Sequence, residues 1–324
     1  MLQEIHQKQS SIEDMVVLTS NLTVIILTYN EEIHIERALN SIKSIASEIY
    51  VVDSGSVDRT VELAEKHGVQ VFYNKFVNQA KQFQWALDNL PIKSKWIMRL
   101  DADEIIEEDL QQEIREKLYL LPENIVGVNL KRKHIFMDRW IRFGGRYPVI
   151  LLRIWRAGHG HMEDRWMDEH IFVTGGDTIT FKGGFADYNL NDLTFFTDKH
   201  NKYAIREAIE VINQKYNLFT RGESINTDTA SFQASIKRTV KEKVYNRIPF
   251  TLATLAYFLY RYIFQLGFLD GRSGLIYHFL QGYWYRFLVG AKIMELEKAI
   301  NGMTDKQQIL EEISRLTGHE LTDK

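Results

Sequence analysis

The chain has 324 residues, 45% of them hydrophobic and 26% charged, with a formal net charge of −3. That length holds one large α/β domain with a smaller appendage, and the composition is globular, which excludes long disordered stretches. The charge balance gives no sign of nucleic-acid binding, and the lack of cysteine excludes disulfides and zinc–thiolate sites and fits a reducing cytoplasm.

Residues 1–20 are polar, without the basic-then-apolar order of a secretory signal, and read as a lead-in to the first strand. The β-branched run 22–27 (LTVIIL) predicts a buried parallel strand, followed by the polar loop 28–32. Ile35, Ala38, Leu39 and Ile42 share one helical face. A second strand, 49–52, runs into Asp53-Ser54-Gly55-Ser56. Asp58 is placed to cap a helix over 60–67, which Gly68 closes. A third strand over 69–73 and a helix over 78–89 follow, and Pro91 ends that pattern. The fourth strand, 96–100, leads into Asp101-Ala102-Asp103-Glu104, and a helix is expected over 108–118.

Four β-α units in about 100 residues predict an open, mostly parallel sheet with helices on both faces. Ligands of such sheets bind beyond the carboxyl ends of the strands, where 28–32, Asp53 and 101–104 all fall. The stretch 127–187 is less regular. A strand is expected over 149–155, and glycine pairs mark turns. Helix returns from Leu193, and a loop near 217–231 leads to an aromatic C-terminal region.

The first loop, Thr-Tyr-Asn-Glu-Glu, has no glycine, so neither a dinucleotide fingerprint nor a P-loop is present. A different group must neutralise any bound diphosphate. Asp101 and Asp103, at i and i+2, would point to the same side of an extended segment and could hold a hard cation through oxygen ligands. The bland alternative is a solvated acidic loop that caps the next helix. Asp53 is either an acceptor for a ribose or base N–H or a turn residue of D-S-G-S.

With these residues placed, the chain resembles glycosyltransferase family 2. The resemblance rests on VIILTYNEE (24–32), VVDSGSVDRT (51–60), FVNQAKQFQWAL (76–87) and RLDADE (99–104), and extends more weakly through EDRWMDEHIFV (163–173). Within that family it is most similar to enzymes of bacterial lipopolysaccharide-core and exopolysaccharide assembly. The resemblance implies the GT-A fold, a Rossmann-like, mostly parallel open α/β sheet, over 21–190, with a helical, aromatic-rich extension over 191–324. It further implies inverting, metal-dependent hexosyl transfer from a UDP-sugar or GDP-sugar to a glycan or lipid-linked acceptor, with Mg²⁺ or Mn²⁺ as cofactor.

Carried onto this sequence, the family pattern places Thr28, Tyr29, Asn30 and Glu31 along the nucleotide pocket, Asp53 on the uracil or ribose, and Lys81 near the donor phosphates. Asp101, Ala102 and Asp103 would form the D-x-D, with Asp103 ranked ahead of Asp101 as the direct metal ligand. Lys81 reads equally well as a solvated helix lysine. The acceptor's base falls at Glu169, with Asp168 its rival, inside the octet 163–170. The alternative there is a charged loop in which both acids pair with Arg165 or Arg153. Arg142, Arg146, Arg153 and Arg156 could hold a diphosphate or be surface charge flanking strands.

From 237 to 292 the chain carries nine Lys/Arg against two acids, and 245–287 holds 14 of its 39 aromatic residues. Apolar stretches at 248–268 and 275–294 predict a two-helix hairpin around a polar turn at 268–274. The hairpin reads as soluble core, a transmembrane pair or an element in the membrane interface. Arg261 in mid-segment would cost about 2.5–3.5 kcal/mol at a bilayer centre, so interfacial insertion at the cytoplasmic face of the membrane is favoured, with a dimer interface as the alternative. Two other functions stay open on the sequence: a sugar-phosphate nucleotidyltransferase, against which the glycine-free first loop argues, and a non-catalytic membrane-associated scaffold on a degenerate transferase fold.

Overall fold

The structure, a computed structural model, describes residues 21–162, 171–219 and 249–321. The chain divides into two compact units, 1–140 with 146–190, and 141–145 with 191–324.

The first unit is built on strands β1 (Leu22–Thr28), β2 (Glu48–Asp53), β3 (Gln70–Tyr73) and β4 (Trp96–Asp101). Helices α1 (Ile35–Ile42), α2 (Thr60–Lys66) and α3 (Gln79–Asn89) connect them. The strands lie in the order β3-β2-β1-β4, all parallel, as strands joined by helical crossovers are. β1 is buried on both faces, which its unbroken β-branched sequence demands. Next come β5 (Glu104–Ile106), α4 (Glu108–Lys117), β6 (Ile125–Phe136), β7 (Arg139–Trp140), β8 (Val149–Arg156), β9 (Gly160–Met162), β10 (Ile171–Val173) and β11 (Asp177–Tyr188). The sheet continues β4-β8-β6-β11-β5, with β8 and β5 antiparallel to their neighbours and β7 paired to β6. The architecture is therefore the expected α/β one: a GT-A-like mixed, mostly parallel open sheet.

β6 and β11 are the long strands that the sequence left unread. β11 carries Gly183-Gly184 at its middle, a signal of a break rather than a strand. Its register with β6 slips between Thr180 and Gly184. The amides of Lys182 and Gly183 leave the ladder there and donate to the Glu113 carboxylate of α4, at 2.7 and 2.8 Å. A Cβ on Gly183 would lie 2.5 Å from Leu110 Cα, so the close approach of α4 requires glycine.

The second unit contains α5 (Leu193–Tyr216), α6 (Phe250–Leu259), α7 (Gly271–Tyr277), α8 (Tyr285–Ala299) and α9 (Lys306–Thr317). Asp192 and Asp305 cap α5 and α9 by accepting the amides of Phe195 and Gln308. α5 packs on α8 and α9 through Ile209, Ile212, Leu296 and Ile313. π-Helical turns at Tyr260–Phe264 and His278–Trp284 extend α6 and α7. The break between the two arms falls at 265–266, where Leu266 has φ +61°, and not at the polar stretch 268–274, which is itself helical. Ring contacts of Phe250 with Phe287 and of Phe258 with Tyr283 lay the first arm back along the second.

Candidate active site

β1 lies at the point where strand order reverses, with β2 on one side and β4 on the other. Register sets Thr28 beside Asp53 and Leu27 beside Asp101. The loops after these three strands therefore share one edge of the sheet, the position where open α/β sheets bind ligands.

The first two loops are cross-linked. Thr28 donates its hydroxyl to Asp53 Oδ1 at 2.9 Å, and Ser56 Oγ donates to the same oxygen at 2.5 Å. Asp53 Oδ2 accepts the amides of Gly55 and Ser56, at 2.7 and 2.8 Å. The turn reading of Asp53 is thus realised, and its carboxylate holds the loop in shape. Asn30, at φ +55°, donates its amide to Ser56 Oγ and accepts the Val57 amide on Oδ1. Asparagine tolerates that left-handed backbone better than most residues. The amides of Glu31 and Glu32 go to Thr60 Oγ1 and Asp58 Oδ2. Tyr29 is left exposed, its ring available for stacking.

α3 is capped by Asn78, which accepts the Lys81 amide at 2.7 Å, and the Lys81 side chain lies on the exposed face. Gln82, its buried neighbour, was not singled out from the sequence. It joins Ser54 after β2 to Asn74 after β3 through its own amide group.

The acidic segment departs from the expected geometry. Residues 102–103 form a turn between β4 and β5, so Asp101 and Asp103 do not share the side of an extended strand. Asp101 accepts Arg99 Nε at 3.1 Å and Arg153 Nη2 at 3.2 Å. Arg153 also donates to Glu104 at 2.5 Å, while Glu104 accepts the Asp101 amide at 2.9 Å. Burial opposes ionising Asp101, but Arg99 and Arg153 outweigh it and hold the carboxyl well below its ordinary range. Burial dominates at Glu104, which is raised to about 8, with Arg153 opposing the rise and Asp101 adding to it.

Asp103 takes a different set of partners. Its carbonyl accepts the Tyr188 amide and its Oδ2 accepts the Asn189 side-chain amide, both at 2.9 Å. Arg37 lies alongside, donating to the Tyr188 carbonyl at 2.7 Å and stacking over the Tyr188 ring. Burial lowers Arg37, against the charge of Tyr188 and Asp103. His34 is fully buried, with Nδ1 2.6 Å from Glu31 Oε2 and Nε2 accepting the Leu190 amide at 2.9 Å. The second bond places the ring proton on Nδ1, where Glu31 accepts it. His34 thereby ties the first loop to the residue beside Asn189. Neither Arg37 nor His34 was visible as a site residue, because both lie in an ordinary helical pattern.

The donor set suits a hard divalent cation: carboxylate oxygens alone, one of them on a turn at the strand ends. Among the described residues no three or more acidic or histidine side chains converge into a ready ligand cage. Asp101 is engaged by two guanidinium groups, and Asp103 by the Asn189 amide, so a cation there would compete with these partners for either carboxylate. Arg153 and Arg156 are internal and hold no external anion. Arg156 donates to the carbonyls of Leu121, Pro122 and Ile125. Glu169 and Asp168, with the rest of 163–170, lie outside the described residues, between the paired strands β9 and β10.

The sequence model of Glycosyl transferase family 2 matches residues 23–187, which contain the three strand-end loops, Asp53, Asp101, Asp103 and Arg153. The chain belongs to glycosyl transferase family 2. An uncharacterised glycosyltransferase of Rickettsia bellii is 42% identical over 98 residues, covering 30% of this chain and 33% of that protein. The lipopolysaccharide core biosynthesis glycosyltransferase LpsC of Rhizobium meliloti is 30% identical over 117 residues, 35% of this chain and 42% of that protein. The chain thus spans about a third of the length of the first of these relatives. A crystal structure of glucosyl-3-phosphoglycerate synthase from Mycobacterium tuberculosis, with Mn²⁺, UDP and glucosyl-3-phosphoglycerate, is similar at 20% identity and a TM-score of 0.30, over 38% of this chain and 48% of that one.

Proposed function

We propose that this glycosyltransferase moves a sugar, with inversion, from a nucleotide-diphosphate sugar to a glycan or lipid-linked acceptor in assembly of a bacterial cell-surface polysaccharide. The observation that carries the reading is the convergence of three strand-end loops on one sheet edge, with acids at the end of β4 and no glycine-rich phosphate nest. Similarity to a lipopolysaccharide-core enzyme supports the pathway.

In this reading Asn30 and Glu31 line the nucleotide pocket, Tyr29 stacks on the base, and Asp53 keeps the pocket's shape. Lys81 approaches the donor phosphates. Asp103, with Asp101 behind it, would hold Mg²⁺ or Mn²⁺, which when bound supplies positive charge to the departing diphosphate. The arginines around Asp101 keep that carboxylate ionised and fixed, so no reorganisation is needed when charge develops. Glu169, or Asp168, takes the proton from the acceptor hydroxyl as its oxygen attacks the anomeric carbon. The anomeric centre passes through an oxocarbenium-like state, as in glycoside cleavage.

The test is a donor screen that scores thermal stabilisation by UDP-, GDP- and other nucleotide sugars with Mg²⁺ or Mn²⁺. The stabilising donor is then incubated with lipid-linked and core-oligosaccharide acceptors, and the anomeric configuration of the product is read by NMR. A product with the donor's own configuration defeats the inverting mechanism. Pyrophosphate release from a nucleoside triphosphate and a sugar phosphate defeats sugar transfer altogether.

A further inference from the structure

The stretch 250–284 of the second unit, which takes in the first arm and the start of the second, has its polarity reversed. In a soluble protein, large apolar side chains turn inward and charges turn outward. Here Leu252, Leu259, Ile263, Phe264, Phe268 and Leu269 all face out, with Phe264 76% and Leu252 58% exposed. The buried face carries Thr254, Arg261, Asp270 and His278, with Ala253, Tyr277 and the glycines 267, 274 and 282 among them. Arg261, whose charge argued against lipid contact when read along the sequence, is only 3% exposed. It donates to the Gly144 carbonyl at 2.9 Å and to the Gln281 side chain. Asp270 accepts the amides of Arg142 and Phe143, at 3.2 and 2.9 Å. Arg261 and Asp270 are thus paired inside the unit, against the 141–145 segment. Between Pro249 and Tyr285 the charged residues are Arg261, Asp270 and Arg272, and Arg272 is the exposed one.

Small and polar residues at helix contacts with apolar residues outside is the arrangement that proteins adopt in lipid. Dimensions set the depth. No single described helix is long and apolar enough to cross a membrane, and the arms Phe250–Phe264 and Gly267–Ala299 are bent by 71° where they meet. The fifteen residues of the first arm reach about 22 Å, short of the roughly 30 Å hydrocarbon core, and the bend turns the second arm out of its line. Charge favours an anionic surface: the twelve residues before the arm, 237–248, hold five Lys/Arg and one acid in the sequence, and Arg272 adds a cation.

We propose that the bend between the two arms, with its flanks over 250–279, inserts into one leaflet of an anionic bilayer, Phe264, Phe268 and Leu269 entering the acyl region, without spanning it. This membrane seat does not rest on the sugar-transfer reading.

The experiment uses the full chain with large vesicles of phosphatidylglycerol and phosphatidylethanolamine, or of phosphatidylcholine alone, followed by sedimentation. The wild type is expected to sediment with the anionic vesicles and more weakly with the neutral ones. A Phe264→Ser, Leu269→Ser double variant alters only exposed positions, so it should keep its circular dichroism and melting temperature while losing vesicle binding at least tenfold. Because the chain lacks cysteine, Phe264→Cys takes a single environment-sensitive fluorophore. Its emission should shift to the blue on vesicle addition and be quenched by spin labels carried in the outer leaflet alone. Three outcomes overturn the proposal: no vesicle binding by the wild type; unchanged binding by the double variant; or a defined dimer in light scattering, dissociated by the same substitutions, with no blue shift on vesicles. The last would make the face a contact between copies of this chain.

Discussion

Arg153 on β8 donates to Glu104 on β5 at 2.5 Å, and neither side chain has more than 7% of its surface in water. The same guanidinium reaches Asp101 at 3.2 Å, so one buried cation organises both acids that bracket the turn at 102–103. Taking charges out of water is costly, and such a cluster holds only while every member is paired.

Arg153→Met should therefore leave the buried Glu104 carboxyl without its guanidinium partner and Asp101 with Arg99 alone. We expect a loss of about 3–5 kcal/mol in urea unfolding. The double variant Arg153→Met, Glu104→Leu should recover a large part of that loss, because the buried polar group left unpaired goes with its partner. A single variant as stable as wild type would show that the triad does not hold the strand ends together.

Asp103 sits on the turn with its Oδ2 on the Asn189 amide, a contact that asparagine can preserve only in part. Asp103→Asn should melt within about 2 °C of wild type, in keeping with a change at a partly exposed turn. It should lose the extra thermal stabilisation that Mn²⁺ confers on nucleotide binding, and transfer should fall by at least about a hundredfold, as for a lost electrostatic group at a reacting centre. Glu169→Ala should instead keep donor binding and lose transfer. Full transfer in EDTA would remove the metal from the reaction.

Glu113 gathers the amides of Lys182 and Gly183 and the Lys117 ammonium. Burial opposes its charge, but these donors hold the carboxyl below its ordinary value. A depressed acid stabilises the fold fully above its unfolded value, near pH 4.3, and the contribution disappears as pH falls through the folded value. Glu113→Gln should therefore cost about 1.5–3 kcal/mol at pH 7, and the gap from wild type should close in acid. Chemical denaturation at pH 7 and pH 3.5 measures both; a gap that is constant between them would contradict the assignment.

Gly144 and Gly68 both have positive φ, +66° and +75°. A Cβ at 144 would lie 2.1 Å from His278 Cε1, whereas none of the neighbouring atoms lies within 4 Å at 68. Gly68→Ala should cost about 1 kcal/mol from backbone strain alone. Gly144→Ala adds a steric conflict with a buried ring, and we expect a further loss of about 1–3 kcal/mol, read as a lower melting temperature. Equal melting temperatures for the two variants would mean that the loop and ring separate at little cost.

The first four strands and three helices were legible because each carries its own periodicity and punctuation. β1 is an unbroken β-branched run, Asn78 caps α3, and Gly68 ends α2 in a left-handed turn. The loops that form the candidate site were legible for the same reason, since strand ends follow directly from strand positions. β6 escaped because its second half, Lys131-Arg132-Lys133-His134, does not look like a buried strand. β11 escaped because its central glycines answer to α4 and not to local conformation.

Sequence by itself determined the α/β class, the family and the three loops beyond the strand ends, because those depend on residues close together along the chain. Only the tertiary structure decided which groups pair. Arg153 meets Asp101 across 52 positions, Arg37 meets Tyr188 across 151, and Arg261 turns inward to Gly144 across 117. No periodicity carries such information, because these contacts are set by the order of strands in the sheet and by the folding back of one helix on another.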